Sequence, residues 1–419
     1  MPLAAKSPPI KNKKEIKYQR ILEAAAFQMN EKGATSVSLN GVAESIGITR
    51  NALYYYFKDK QSLLYACYLD AAMTTAKNLS EIQDLPITAA EKLRDFMERT
   101  LNEGGYEKAV LSNLDILLPP QKDKVEALIN HNTHQLEQII AQGIANGELR
   151  KVDCQIATQV LLGMLSWARL CHQWQNLDGE FATNRWQATT ELLSDIFLYG
   201  VSTDPDYKPV TPISVQEALK REVDVFDSEA ISEEKRLRII ELASRVFNQR
   251  GIDSTSMDDI VEQIKATKGT IYHYFKDKQS LVNACFNHAY EQYEFFLNAG
   301  LKEDKSFIDQ QYTILHLNCQ AQAAKNPPLT PQGGVSNLAT VFAARSKKIA
   351  FKMHKIQLKA IASGQYRSVN KLSVELGAGG FFWIPSWIKD QPAVDPSALA
   401  DEICNISFFG VMIQKTLAD

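Results

Sequence analysis

The sequence predicts an all-α protein in which one helical domain is present twice, and three observations carry that expectation. Apolar residues recur at three- and four-residue spacing, and no stretch sustains the alternation of a half-buried strand. Sliding the 419-residue chain against itself by 218 positions lays Arg20–Cys67 over Arg238–Cys285 without a gap, with 22 of the 48 positions identical. Between the two copies lies a segment, Ser202–Ser232, in which Pro205, Pro209 and Pro212 cluster before Asp224, Asp227 and Glu229, as in a linker. Later matches are weaker. Gly163-Met164-Leu165-Ser166-Trp167 answers Gly379-Gly380-Phe381-Phe382-Trp383, and Tyr199-Gly200-Val201 answers Phe409-Gly410-Val411. A unit of roughly 200 residues is too long for a solenoid element and reads as a whole domain.

Composition bounds the class. With 45% hydrophobic residues the chain can bury more than one core, and 46 basic against 49 acidic residues leave a net charge of -3. Neither a global basic excess nor an acidic, disordered composition is present. The longest apolar run, Ile156–Ala168, is interrupted by Gln159 and falls short of the roughly 20 residues of a spanning helix. The first residues, rich in Lys and Pro, lack the apolar stretch of a signal peptide. Cys67, Cys154, Cys171, Cys285, Cys319 and Cys404 are scattered, which suits reduced thiols rather than a disulfide framework. A cytoplasmic protein without membrane contact is expected.

Each element has a local reason. Ile21, Leu22, Ala25 and Met29 form one face of a helix that Gly33 ends. Ser38 suits the N-cap of a second helix turning Leu39, Val42, Ala43 and Ile46 inward, and Gly47 suits the tight turn after it. Thr49 then caps a short helix that Leu53 and Phe57, four apart, pin to the core. Ser214–Phe226 in the linker is expected to form a short amphipathic helix.

Helix, tight turn and short polar helix together form a helix-turn-helix, whose second helix must fit a major groove about 12 Å wide. Candidate DNA contacts in the first copy are Ser38, Thr49, Arg50, Asn51, Ala52, Tyr54, Tyr55, Tyr56 and Lys60. Arg50 suits a guanine or a phosphate, Ala52 a thymine methyl, and the tyrosine hydroxyls and Lys60 phosphate oxygens. Three consecutive tyrosines cannot all face one core from a helix. The second copy offers Ser256, Thr267, Lys268, Gly269, Thr270, Tyr272, His273, Tyr274 and Lys278.

Gly47-Ile48-Thr49-Arg50-Asn51-Ala52-Leu53-Tyr54-Tyr55-Tyr56-Phe57 followed by Lys60, and Thr267 to Phe275 followed by Lys278, resemble the DNA-binding signature of the tetracycline-repressor (TetR) family. The resemblance is specific over the 48-residue segments and rests on length and helicity beyond them. It implies a three-helix DNA-binding head, then a helical ligand-binding and dimerisation body whose last two helices build a four-helix interface. It further implies a bacterial repressor released from its double-stranded DNA operator when a small molecule enters the body. Two departures stand out: the family normally carries one unit per chain, and in the second head Lys265 replaces the turn glycine.

On this basis residues 1–17 are a basic arm, 18–67 and 233–285 the two heads, 68–201 and 286–419 the two bodies, and 202–232 the linker. Lys6, Lys11, Lys13, Lys14, Lys17 and Arg20 face only Glu15 in the first 20 residues, so the arm can follow phosphates, and the first head is expected to dominate affinity. Trp167, His172 and Trp174, with Phe382, Trp383 and Trp387 in the second copy, are ligand candidates, although aromatics at helical spacing more often form core or interface. His131, His134 and Glu137 have a metal-capable spacing but lie in a polar stretch that suits a solvated face. Gly377-Ala378-Gly379-Gly380 lacks phosphate-loop spacing and suits close helix packing or a helix start. No metal and no cofactor is expected.

The expected function is a transcriptional regulator, most simply a repressor with a small, largely apolar effector, its two units paired within one chain on an asymmetric operator. A homodimer of chains with four heads stays open. So do a DNA-organising or partner-binding protein without an effector, and an enzyme with relic heads, for which no catalytic set is visible.

Overall fold

The computed structural model describes residues 13–102, 107–174, 185–210, 212–220, 224, 226–301, 305–331, 339–368, 372–388 and 394–413. These are helical apart from turns, connections and two isolated bridges. The first head comprises α1 (Lys13–Lys32), α2 (Leu39–Ser45) and α3 (Arg50–Tyr54), and α4 (Lys60–Gln83) leads into the first body. That body adds α5 (Ala89–Asn102), α6 (Pro119–Ala145), α7 (Cys154–Trp174) and α8 (Arg185–Tyr199). The linker contributes α9 (Val215–Ala218). The second head follows as α10 (Ser228–Arg250), α11 (Met257–Ile264) and α12 (Lys268–Tyr274), with α13 (Lys278–Gly300) as its connection. The second body holds α14 (Phe307–Ala323), α15 (Ala339–Ala362), α16 (Leu372–Gly377), α17 (Gly379–Phe382), α18 (Ile384–Trp387) and α19 (Pro396–Phe409).

Local chemistry sets the boundaries. Ser38 Oγ accepts from Gly41 N–H at 2.9 Å and Thr49 Oγ1 from Ala52 N–H at 3.2 Å, satisfying amides that a helix start leaves without partners. Asp59 and Asp277 each close a capping box with a serine three residues on, so α4 and α13 start in the same register. Gly47 turns with φ +69°, and Lys265 adopts the same left-handed geometry at φ 57°. The turn survives the loss of glycine, at a strain of about 1–2 kcal/mol.

Each head has its own core. Ile21, Leu22, Ala25, Val42, Ala43, Leu53 and Phe57 pack in the first, and Ile239, Ile240, Ala243, Ile260, Ile271 and Phe275 in the second. A third, larger core is shared by the two bodies and joins Leu161, Leu165 and Trp167 to Leu376, Trp383, Ile384 and Ile403. At its centre α7 crosses α17 at glycines. A Cβ on Gly163 would lie 2.6 Å from the Gly379 carbonyl oxygen, and one on Gly379 would lie 2.6 Å from that of Gly163. The glycine-rich stretch thus serves close packing. The two C-terminal ends meet nearby, where Val201 N–H donates to Phe408 O at 2.9 Å and Met412 N–H to Leu198 O at 2.8 Å. Arg150 donates to the carbonyls of Asn405 and Gly410, and Arg367 donates to Gly200 O and the Asp195 carboxylate. Each unit thereby holds the last helix of the other.

The linker lies along the second body. Tyr207 Oη donates to Asp309 Oδ2 at 2.7 Å, Val210 N–H to Asp309 Oδ1 at 3.1 Å, and Val215 N–H to Gln320 Oε1 at 2.9 Å. Its described helix is the single turn Val215–Ala218, shorter than the expected 214–226, of which residues 221–223 and 225 lie outside the described residues. Asp227 is not linker filler: it caps α10, which begins at Ser228. The linker therefore helps to bury α14, a helix that carries paired polar residues inside.

Candidate nucleic-acid interface and effector cavity

The first recognition helix is α3. Leu53 and Phe57 are buried and hold it, and Arg50, Asn51 and Tyr54 lie exposed at its leading side, with Tyr55 exposed just beyond its end. Ser38 and Thr49 are also exposed, with Ala52 half-buried. Arg50 Nη2 donates to Tyr54 Oη at 2.9 Å and stacks on that ring at 5.2 Å, so the two form one polar unit facing solvent. Tyr55 is 70% exposed, with Lys14 of α1 over its ring at 5.2 Å. Tyr56 differs: half-buried, its ring lies 6.2 Å from that of Tyr18. The tyrosine run therefore divides between solvent and head packing, as three successive helical positions require.

In the second head Ile271 and Phe275 hold α12, leaving Thr267, Lys268, Gly269, Thr270, Tyr272 and His273 exposed. Ser256 and Thr267 cap their helices. Tyr274 is half-buried, with its hydroxyl 3.3 Å from Ser232 Oγ. The main difference is electrostatic. Lys268 Nζ lies 2.7 Å from Asp258 of α11, whose carboxylate raises the lysine above its ordinary range. The matching position of the first head is Asn40, and among the described residues Arg50 forms no ion pair.

Lys60 and Lys278 are both half-buried. Each bonds within its own head, Lys60 Nζ to the Thr35 carbonyl and Lys278 Nζ to the Asp253 carbonyl at 3.4 Å. Burial pulls both below the ordinary lysine range, while Asp253 of the second head acts in the opposite direction on Lys60 as well. Lys6 and Lys11 of the basic arm lie outside the described residues, and Lys13–Lys17 form the first turn and a half of α1.

The aromatic ligand candidates stand apart from the cavity of the first body. Trp167 is buried in the shared core, donates from Nε1 to Glu375 O at 2.7 Å, and packs on Phe382 with ring centres 4.9 Å apart. Trp383 is buried there too, with Phe382 and Trp387 against the same core. The side chains of His172 and Trp174 lie outside the described residues. His134 of α6 is exposed, with its ring 3.1 Å from Gln138 Nε2 and 3.5 Å from Glu137.

A cavity of about 110 Å³ does lie in the first body, between α4, α5, α6 and α7. Thr75, Leu79, Phe96, Asn132, Leu165 and Arg169 are among its walls. Its remaining wall, Lys108–Leu111, is tied to the head through a residue that sequence reasoning missed. Asn30 of α1 donates from Nδ2 to Glu107 Oε1 at 2.7 Å and to Lys108 O at 2.9 Å, and accepts from Val110 N–H at 2.9 Å. Asn248 makes the matching bonds to Pro328 O and Thr330 N–H, both at 2.9 Å. The available signal was a polar residue, identical in both copies, on the apolar side of α1.

Two helix-turn-helix heads on helical bodies define a DNA-binding transcriptional regulator. The family model for bacterial regulatory proteins of the tetR family matches residues 21–67 and again 239–285, and a tetracyclin repressor-like C-terminal domain matches 86–200. The chain belongs to the TetR family and carries two of its DNA-binding heads. It is 24% identical over 157 residues to the fatty acid metabolism regulator protein of Bacillus subtilis, covering 36% of this chain and 81% of that protein. With the HTH-type transcriptional regulator TtgR of Pseudomonas putida it shares 36% identity over 74 residues, 18% of this chain and 35% of that one. Among solved structures, the TetR family transcriptional regulator PfmR of Thermus thermophilus is 30% identical, covering 42% of this chain and 96% of that chain with a TM-score of 0.34. No described helix is long and apolar enough to cross a membrane.

Proposed function

We propose that the chain is a repressor whose two unequal heads read one asymmetric operator and are released when a small molecule enters the first body. The observation that carries this reading is the wall shared by cavity and head: Lys108 and Val110 line the cavity and are hydrogen-bonded to Asn30 of α1. A ligand that displaces this wall moves the base of the first head, which is the differential contact between states that a coupled equilibrium needs.

Pairing of the two units within one chain is part of the same proposal. The reciprocal holds of Arg150 and Arg367 and the Gly163–Gly379 crossing support it. Tethering adds an effective concentration of order mM, which favours intrachain over interchain pairing. The residues proposed to meet DNA are Arg50, Asn51, Tyr54 and Tyr55 in the first head, and Lys268, Thr270, Tyr272 and His273 in the second.

The test uses a fluorescent duplex carrying the sequence that the purified chain retains from a random pool. Fluorescence polarisation should fall on titration with an effector, and Asn30→Ala should bind the effector yet release DNA poorly. Tight DNA binding that no cavity ligand alters would favour a DNA-organising protein instead.

A further inference from the structure

The cavity of the first body contains a buried cation with no carboxylate in ion-pair contact among the described residues. Arg169 of α7 is 8% exposed, and its described partners are the Thr100 carbonyl oxygen and the face of Trp186, 5.8 Å away. No carboxylate among the described residues forms an ion pair with it, although Glu107 acts on it from farther off. A guanidinium held this way is strongly desolvated, and one added anion restores much of what is lost. Two further polar atoms of the same walls, Thr100 Oγ1 and Asn132 Oδ1, are buried without a hydrogen-bond partner among the described residues. Buried polar groups are nearly always satisfied, so a cluster of such atoms around an apolar hollow marks a place for a polar ligand.

We propose that the cavity binds one short-chain carboxylate per chain, its carboxylate on Arg169 and the Thr100 hydroxyl, its tail among Leu79, Phe96 and Leu165. Arginine forks suit carboxylates, with two parallel N–H donors meeting two oxygens. Size sets the tail. An engineered apolar cavity of ~150 Å³ holds benzene, so a cavity of about 110 Å³ takes on the order of four or five non-hydrogen atoms. Propanoate has that size, and butanoate adds one methylene.

The second body does not repeat the site. Because α4 and α13 share one register, Tyr293 and Phe296 stand where the first body has Thr75 and Asn78. Both aromatics are buried. Tyr293 packs on Phe381 and Phe382 with ring centres 6.5 and 5.9 Å apart, and its hydroxyl accepts from Gln322 Nε2 at 2.9 Å. Counting from the paired glycines Gly163 and Gly379, the partner of Arg169 is Pro385. Among the described residues the second copy therefore has aromatic rings where the first has cavity wall, and a proline where the first has its cation.

This inference rests on reading the cavity as the effector site, and its test separates the two. Calorimetric titration of the full chain with sodium butanoate and with butanamide is run beside polarisation of the retained duplex. Butanoate should bind once per chain, butanamide at least tenfold more weakly. Arg169→Met should weaken butanoate at least tenfold while leaving DNA affinity within twofold. Should that variant fail to fold, Leu165→Trp, which fills the same space, is expected to give the same loss. Equal binding of acid and amide, two sites per chain, or no loss in either variant would overturn the proposal. Release of DNA by neutral compounds with no carboxylate binding would overturn it too, and leave the regulator reading standing. Arg169-dependent binding of butanoate that leaves DNA bound would uphold the carboxylate site and remove the effector-release reading.

Discussion

At the recognition helices one slot carries different chemistry in the two halves. Arg50 shares its hydrogen bond with Tyr54, a neutral partner that leaves the full charge for DNA. Lys268 is held by Asp258, so in the proposed contact a phosphate would compete with that carboxylate for the lysine. Arg50→Ala with Tyr54→Ala is therefore expected to weaken specific binding by about 1–3 kcal/mol per lost contact. The Lys268→Ala and Tyr272→Ala pair should cost less, and equal losses in a polarisation titration would remove the inequality of the heads. Asp258→Asn, which copies Asn40 of the first head, should tighten binding severalfold at low salt.

Residue-level reading of the sequence succeeded where the physics is local. Ser38 and Thr49 act within three residues along the chain, so their caps were legible, as was the glycine turn. Lys60 was not legible as a strut, because its partner Thr35 is 25 residues away and only the folded head brings them together. The same holds for Arg169, which reads as a helical arginine until α5 and α7 enclose it.

At the scale of elements, α7 has two faces with two tasks. Gly163 and Trp167 meet the second unit, while Leu162, Leu165, Ser166 and Arg169 face the cavity. The aromatic pattern drew attention to the first face and away from the second, since large rings announce themselves and a cavity is marked by what is small. Asn30 joins this body to its head. Asn30→Ala removes three bonds and strands the Val110 amide, so a loss of about 1–3 kcal/mol in stability is expected from chemical denaturation.

Helix α14 supplies a pH dependence. His316 is fully buried, 3.0 Å from Asp401 Oδ1 and 2.9 Å from Gln320 Nε2, and burial lowers it below its ordinary value of 6.5 despite the carboxylate. The unfolded chain then binds more protons than the folded one just below pH 6.5, so stability falls as pH drops through that window. His316→Gln should flatten this part of the curve, seen as a smaller difference in Tm between pH 7.5 and 5.5 than in the parent. An unchanged difference would place the acid sensitivity elsewhere.

For the whole molecule, the repeat made the architecture legible and the geometry did not follow from it. Two copies whose heads match at 22 of 48 positions suggest a symmetric pair, yet the bodies have diverged further. The first keeps a continuous α7 and a cavity, whereas the second divides the matching stretch into α16, α17 and α18 and fills its interior with Tyr293, Phe296 and the polar face of α14. The linker takes part in that filling instead of spanning open space. Under the proposed function this divides the labour: the first body senses, the second supports, and both heads remain to be spaced on DNA.

The measurement closest to this account is selection of random duplex DNA on the purified full-length chain, followed by sequencing of what is retained. Pairing within the chain predicts two unlike half-sites about one helical turn, ~34–36 Å, apart, bound by a single chain in light scattering. A palindromic site bound by two chains would contradict it, since identical heads would then be meeting across chains.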